Sequence, residues 1–496
     1  MAADLADRYD VVVVGGGNAA LCAAHAARES GASVAVLEKT ARDEAGGNTY
    51  FTAGAFRLAH GGLDDLRPLL DDSDDPRLDV SDIPAYPADA FVADMERVTA
   101  GANDDAMTRV MADDSREVVG WMAGKGIRWE LLYPRQTYRD GERWVFFGNL
   151  ALGIVDGGKG LVAQHTEAAL AAGIEIHYGV AVTDLLRDGD AVTEVEVVVD
   201  GVVRTVRAGA VVLAAGGFES DPEMRRKHLG DGWERAIVRG TPSNTGEVLR
   251  AALAHGAAAH GDWSSCHSVQ WDAEAPPNGG ERELTNSLTR QSYPVGIVVN
   301  GAGERFLDEG ADFRNYTYAK YGREVLAQPG GRAVQIFDAT TRPLLRTLEY
   351  DVEGVTEAVA DSLPELAEQV GVDPEGLVRT VEEFNASIAE VGFNPAVKDG
   401  RSARSGSVVK SHWASPIAAP PFYGYPVACG ITFTFGGIRI DPHSAAVLDE
   451  AGARIPGLFA AGEIAGGLFS GNYPGGSGLI AGSVFGRRAG RSAATG

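Results

Sequence analysis

Gly15, Gly17 and Ala20 stand at GxGxxA spacing directly behind the apolar run Tyr9 to Val14. In such a run the three small residues serve different ends, namely a tight turn, close approach of backbone to a phosphate, and close packing of a helix on a strand. The next segment, Ala19 to Ser30, is rich in small residues and reads as a helix with Gly31 past its end. Its first N–H groups would face a pyrophosphate. A second apolar run, Ser33 to Leu37, ends at Glu38. That acid falls about 20 residues after the glycines, the offset at which a carboxylate meets the ribose hydroxyls of a dinucleotide. An acid here, rather than an arginine, argues against a 2′-phosphate.

The stretch Gly46-Gly47-Asn48-Thr49, followed by Thr52-Ala53-Gly54, separates a flavin from a nicotinamide. A nicotinamide domain would proceed to another crossover helix, whereas a polar, glycine-rich backbone suits close approach to a flavin ring. Near the other end of the chain, Leu458 to Ala461 runs into Gly462-Glu463, and Gly475 to Gly478 opens an apolar helix, Leu479 to Ala489. A second helix N-terminus behind glycines suits the ribityl chain or the pyrimidine carbonyls of a flavin. Val211 to Ala215, entering Gly216-Gly217, reads as a strand returning beside the dinucleotide. Asn18, Ala19, Lys39, Val180, Ala214, Asn244, Ser477 and Leu479 are assigned to the same FAD site.

Positioning these groups requires more than one core. At 496 residues the chain exceeds the roughly 250–300 residues at which single cores stop growing. We expect an α/β, Rossmann-like FAD-binding domain built from 1–262 and 430–496, with an inserted α+β capping domain over 263–429 that carries the substrate groups. Asp71 to Pro76 is an acidic surface loop, Glu117 to Lys125 has a helical pattern, and Tyr133 to Phe147, rich in aromatics and arginine, suits a substrate entrance or a half-buried hairpin. Glu175 to Tyr178, Val192 to Val199 and Val202 to Val206 read as strands around Asp-Gly turns.

Hydrophobic residues make up 45% and charged residues 23%, a globular composition. The formal charge of −25, with no dense stripe of Lys and Arg, excludes nucleic acid and anionic membrane surfaces as partners. A small anion remains admissible, because a pocket can hold a few arginines inside a negative exterior. The three cysteines, Cys22, Cys266 and Cys429, form no CxxC pair, which excludes a disulfide framework and cysteine-held clusters. No metal site is expected. No apolar run reaches the ~20 residues that span a bilayer, and Met1 to Asp10 lacks the pattern of a leader, so the cytoplasm is the expected address.

Together the segments GGGNAALCAAHAA with Glu38, GGNTYFTAGAFR, VVLAAGGFESD, GERFLDEGADFRNYTYAKYGR and FAAGEIAGGLFSGNYPGGSGLIAGSVFGRRAG resemble the succinate dehydrogenase and fumarate reductase flavoproteins over nearly the whole chain. GGNAALCAA with DEGADFRNYTYAKYGR looks most like the tricarballylate dehydrogenases. The resemblance implies hydride transfer from a CH–CH bond beside a carboxylate to flavin N5, with tricarballylate and cis-aconitate as the substrate and product. It also implies a separate membrane electron-transfer partner as the oxidant. By the same resemblance His267 falls at a substrate-carboxylate histidine, Arg290 at a proton-path arginine and Arg314 at the proton-transferring arginine. Tyr316, Tyr318 and Tyr473 are rival bases, since arginine has a pKa above ~12 and its neutral form is scarce. No histidine lies between Gly46 and Ala53, where succinate dehydrogenases attach their flavin, so the FAD is expected to be non-covalent.

Two departures bear on the substrate. Thr432 to Gly437 lacks the histidine that fumarate reductases carry before the closing Gly-Gly, and Gly471-Asn472-Tyr473-Pro474 lacks their substrate arginine. Both argue against fumarate or succinate. The Tyr-Pro-Gly step is also similar to 3-ketosteroid dehydrogenases, in which a tyrosine hydroxyl and a backbone N–H polarise a ketone. A ketone or enone handled by Tyr473 is therefore the second expectation, and an electron-transfer subunit without its own substrate the third.

Overall fold

The computed structural model describes residues 5–277 and 282–496; part of the Met1 to Asp10 reading lies outside them. The chain forms β1 (Arg8–Val14), α1 (Asn18–Glu29), β2 (Val34–Glu38) and, later, α2 (Ala88–Val98). Then come β3 (Glu175–Tyr178), β4 (Val180–Asp188), β5 (Ala191–Val199) and β6 (Val202–Leu213). With β7 (Ile237–Val238), β8 (Cys266–Asp272), β9 (Ile297–Val299), α3 (Tyr318–Leu326), β10 (Arg332–Asp338), β11 (Ala358–Ala360) and β12 (Phe422–Thr434) the chain builds a second set. It closes with β13 (Ala446–Leu448), β14 (Arg454–Ala460) and α4 (Ser477–Thr495).

The first sheet has the order β4-β5-β6-β1-β2-β3, with β14 on β6 and β13 on β14. β1 pairs in parallel with both β2 and β6, and β14 joins β6 in parallel through Leu458 opposite Val211. Val11 to Val14 are all buried, which is why the strand is an unbroken apolar run rather than an alternating one. Helix α1 packs on α4. At Gly486 and Gly490 of α4 a Cβ would collide with the carbonyl oxygens of Ala19 and Ala23, so the two helices touch backbone to backbone.

One expected break is absent. Val202 to Val206 and Val211 to Leu213 belong to the single strand β6, which ends before Ala214 and Ala215; its first half pairs with β5 and its second half with β1 and β14. Gly209 between them is no turn. Its Cβ position lies 2.7 Å from the Asp10 carbonyl oxygen, and glycine there lets β6 run tight against β1.

The second sheet has the order β7-β12-β10-β9, with β8 and β11 also on β12. β12 is its long central strand, and it continues through the expected boundary at 429/430 to Thr434. Tyr133 to Phe147 holds an antiparallel hairpin, Thr137–Asp140 on Arg143–Phe146. Among the described residues no helix is long and apolar enough to cross a membrane.

Candidate active site

A single continuous cleft runs from the C-terminal ends of β1 and β2 to the edge of the second sheet. At its first end the turn after β1 brings Gly15, Gly17, Asn18 and Ala19 to the wall. Gly15 has φ 108°, and a Cβ there would collide with the Ala214 carbonyl, so only glycine lets the turn close on β6. Glu38 ends β2. Its Oε1 accepts from the backbone N and Oγ1 of Thr40 at 2.9 and 2.8 Å, while Oε2 lies beside Gly16, 2.7 Å from where a Cβ would stand. Lys39 and Val180 complete that end of the wall.

Further along, Gly47, Asn48, Thr49 and Ala53 face Ala214, Gly216 and Asn244, and then Gly462, Glu463 and Leu479. Internal bonds set this cradle: Thr49 Oγ1 accepts from Asn18 N at 2.9 Å, and Asn18 Nδ2 donates to the Leu479 carbonyl at 2.9 Å. Neither α1 nor α4 is capped by a side chain; their N-caps are Gly17 and Gly476. Two helix N-termini, a carboxylate with a free oxygen and a glycine-lined groove between them fit FAD.

Four of the expected cofactor residues stand behind the wall rather than in it. Ala20 is fully buried in α1, Gly46 packs on Val162 and Gly54 on Gly157. Ser477 is buried at the start of α4, its Oγ without a partner among the described residues. They hold the cradle's shape.

The far end of the cleft is cationic. Arg135, Arg239, Arg314 and Arg346 all line it. Arg314 Nη1 donates to Gln291 Oε1 at 2.9 Å, and its Nη2 to the Arg135 carbonyl. Arg346 Nη1 donates to the same Gln291 oxygen at 2.8 Å and lies 2.9 Å from Glu349 Oε1. Arg135 is 3.8 Å from that carboxylate oxygen. Arg239 donates to Thr432 Oγ1 at 2.8 Å, and its Nε, like that of Arg346, is buried with no partner among the described residues. Burial, then the neighbouring Arg346, pulls Arg314 down to about 9 and Arg135 down to about 10; burial also lowers Arg239.

An aromatic wall faces these cations. His267, on β8, stacks on Phe433 with centroids 5.1 Å apart and meets Tyr318 and Tyr473 edge-on at 4.9 and 5.0 Å. Burial, then Arg239, drives the imidazole well below the ordinary histidine range, so His267 is neutral; its buried Nδ1 has no partner among the described residues. It is a hydrogen-bonding group at the cleft wall, not a charge. Tyr473 Oη accepts from Gly476 N at 2.9 Å. Burial raises the Tyr318 phenol well above its usual range, which keeps it protonated.

Arg290 does not line the cleft. It is fully buried, 2.6 Å from Asp272 Oδ2, and donates to the carbonyls of Ser287, Thr289 and Glu349. The sequence resemblance put it on a proton path; the structure puts it behind Glu349, whose backbone it fixes. Tyr316 also turns away, bonding Asp94 at 2.6 Å and Arg57 at 3.1 Å. The nearby acids do not engage Arg314: Glu309 pairs with Arg305 and Asp312 with Arg97. Arg135, Arg239, Arg346 and Gln291 were not singled out from the sequence. Only Arg135 carried a signal, its place in the aromatic and arginine-rich stretch. Among the described residues no group of His, Cys, Asp and Glu is arranged to hold a metal ion.

Comparison with known proteins agrees with this layout. The family model described as FAD binding domain matches residues 10–480. A fumarate reductase (cytochrome) of Shewanella frigidimarina is 27% identical over 491 residues, covering 98% of this chain and 77% of the relative. A 3-oxosteroid 1-dehydrogenase of Mycobacterium tuberculosis is 28% identical over 382 residues, covering 70% of this chain and 65% of the relative. The structure of the open conformation of a flavocytochrome c3 fumarate reductase superposes with a TM-score of 0.74 at 25% identity, covering 99% of this chain and 78% of that one.

Proposed function

The chain belongs to the FAD binding domain family, with relatives among the fumarate reductase and succinate dehydrogenase flavoproteins, and on that premise we propose that this FAD-dependent oxidoreductase acts on a carbon–carbon bond flanked by the carboxylates of a polycarboxylate. Tricarballylate, desaturated to cis-aconitate, is the substrate we favour. The observation that carries the reading is the charge at the cleft's far end, where four guanidinium groups line the wall and, among the described residues, Glu349 is the carboxylate that pairs with two of them. Cations drawn out of water cost several kcal/mol each unless anions offset them, and here most of their partners are neutral. A substrate with several carboxylates would relieve that cost, and the unused donors on Arg239 and Arg346 suit it.

Bound FAD supplies the hydride acceptor or donor. The remaining work falls to the chain. Arg239, Arg346 and Arg135, with neutral His267, would grip carboxylates and so acidify the adjacent carbon. Arg314, drawn down to about 9, would take the proton in desaturation and return it in reduction. The aromatic wall of Phe433, Tyr318 and Tyr473 would exclude water from the reacting carbons. In this reading residues 263–429 form the cap that supplies Arg314 and Arg346, over an FAD-binding part made of 1–262 and 430–496. The FAD is held without a covalent bond, and a separate electron-transfer protein at the membrane reoxidises it.

A second reading has one specific observation in its favour. Tyr473 Oη is held by the N–H of Gly476, which leaves its proton free to polarise a ketone, and the relatives include a 3-oxosteroid 1-dehydrogenase. A neutral ketone would, however, leave the four arginines unanswered. The test is flavin bleaching without oxygen against a panel of polycarboxylates, enones and 3-oxosteroids. Bleaching by a tricarboxylate and not by ketones supports the first reading; the reverse overturns it.

A further inference from the structure

Midway along the cleft, apart from the arginine pocket, two carboxyl groups accept from the same amide nitrogen, Asn244 Nδ2. Glu219 is fully buried behind the wall, and Glu463 stands in it. Glu219 Oε1 accepts from Asn48 Nδ2 at 2.6 Å and from Asn244 Nδ2 at 2.7 Å. Its Oε2 is buried and has no donor among the described residues. Glu463 Oε1 accepts from Thr434 N at 2.8 Å and Thr434 Oγ1 at 3.1 Å, and Oε2 from Asn244 Nδ2 at 3.4 Å.

Every donor around the pair is an amide or a hydroxyl. Arg225, a cation whose surroundings include Glu219, donates to the carbonyls of Ala236 and Glu234 at 2.8 and 3.1 Å. The thiols of Cys266 and Cys429 and the carboxylate of Asp221 lie around Arg225, and burial keeps both thiols protonated. Arg239 is engaged with Thr432. Two ionised carboxylates that share one amide donor, buried and paired with no cation among the described residues, would repel each other at a cost that a single proton removes.

We propose that Glu219 and Glu463 bind a single proton between them, so that Glu463 meets the FAD in the cleft as half of a pair that carries one negative charge. Glu219 is the positioning residue that keeps it so. The shared proton leaves the pair one negative charge instead of two, in a groove that must accept a diphosphate. Burial, reinforced for Glu463 by the facing carboxylate, raises both groups above the ordinary glutamate range. The proposal does not depend on which substrate the arginines hold.

The test uses the FAD-loaded protein and reads the infrared carbonyl band of protonated carboxyl groups as pH rises, with the variant E219Q/E463Q as the background to subtract. We expect a band that persists at neutral pH and is lost only well above the ordinary carboxylate range, and E219Q should move its midpoint down by at least about one pH unit, a tenfold change in acidity. In parallel, release of FAD on dilution, followed by its fluorescence, should increase through the wild-type midpoint. In E463Q, whose amide is uncharged at every pH, release should be flat. A wild-type protein without the band, an E219Q midpoint that does not move, or FAD release in wild type as flat as in E463Q would each overturn the proposal.

Discussion

Gln291 Oε1 is shared between two guanidinium groups: Arg314 Nη1 donates to it at 2.9 Å and Arg346 Nη1 at 2.8 Å. One neutral acceptor thus holds two cations side by side inside the protein. Their mutual repulsion adds to burial in weakening Arg314's hold on its proton.

Arg314→Gln should lower turnover by roughly 100- to 10,000-fold, the usual contribution of a positioned proton-transfer group, with flavin content unchanged. Single-turnover bleaching of the flavin measures it. Turnover within a few-fold of wild type would remove Arg314 from the chemistry.

The pH dependence follows in sign from the lowered guanidinium. Desaturation needs Arg314 neutral, so its rate should climb with pH and level off above about 9, while the reductive direction should decline over the same interval. Removing the neighbouring charge with R346M takes away a cause of the depression, so the limb should move to higher pH. A limb that stays put or moves down contradicts the assignment.

Substituting Met for Arg135, Arg239 or Arg346 removes a charged donor worth about 1.5–3 kcal/mol, so KM for a polycarboxylate should rise by roughly 10- to 100-fold in each case. Activity toward a neutral ketone would not respond in that way. Steady-state kinetics on both substrate classes separates the two readings of the cleft.

Glu38→Ala removes the carboxylate whose Oε2 is free at the cleft wall. FAD affinity should fall by roughly 10- to 100-fold, by the same magnitude for charged hydrogen bonds, as read by flavin fluorescence on dilution. Acid precipitation of the wild type should leave all the flavin in the supernatant.

Arg290 is expected to act on stability. Asp272→Ala would strand a fully buried guanidinium, a change that costs about 3–5 kcal/mol, and thermal unfolding should register it. A variant that melts like wild type would return Arg290 to the candidates for proton movement.

The nucleotide half was legible in the sequence because its constraints are local. Gly15, Glu38 and Gly476 each sit at a strand end or a helix start, where spacing alone tells what the backbone must do. β6 reads as two strands because Gly209 looks like punctuation until β1 is known to run against it. The arginine pocket was largely illegible. Arg239 leaves β7, Arg346 lies in a long connection after β10, and Arg135 sits before a hairpin; only the folded chain makes them neighbours, and no local pattern marks a residue for a meeting of that kind.

The backbone contact between α1 and α4 has a consequence for how the protein is made. The FAD groove needs both helices, yet more than four hundred residues separate them, and β14 joins β6 only shortly before α4. On the ribosome the first glycine turn emerges long before its partner exists. Cofactor loading is therefore a late event in biogenesis, and a nascent chain stalled before Ser477 should bind no flavin however well its first strands have formed.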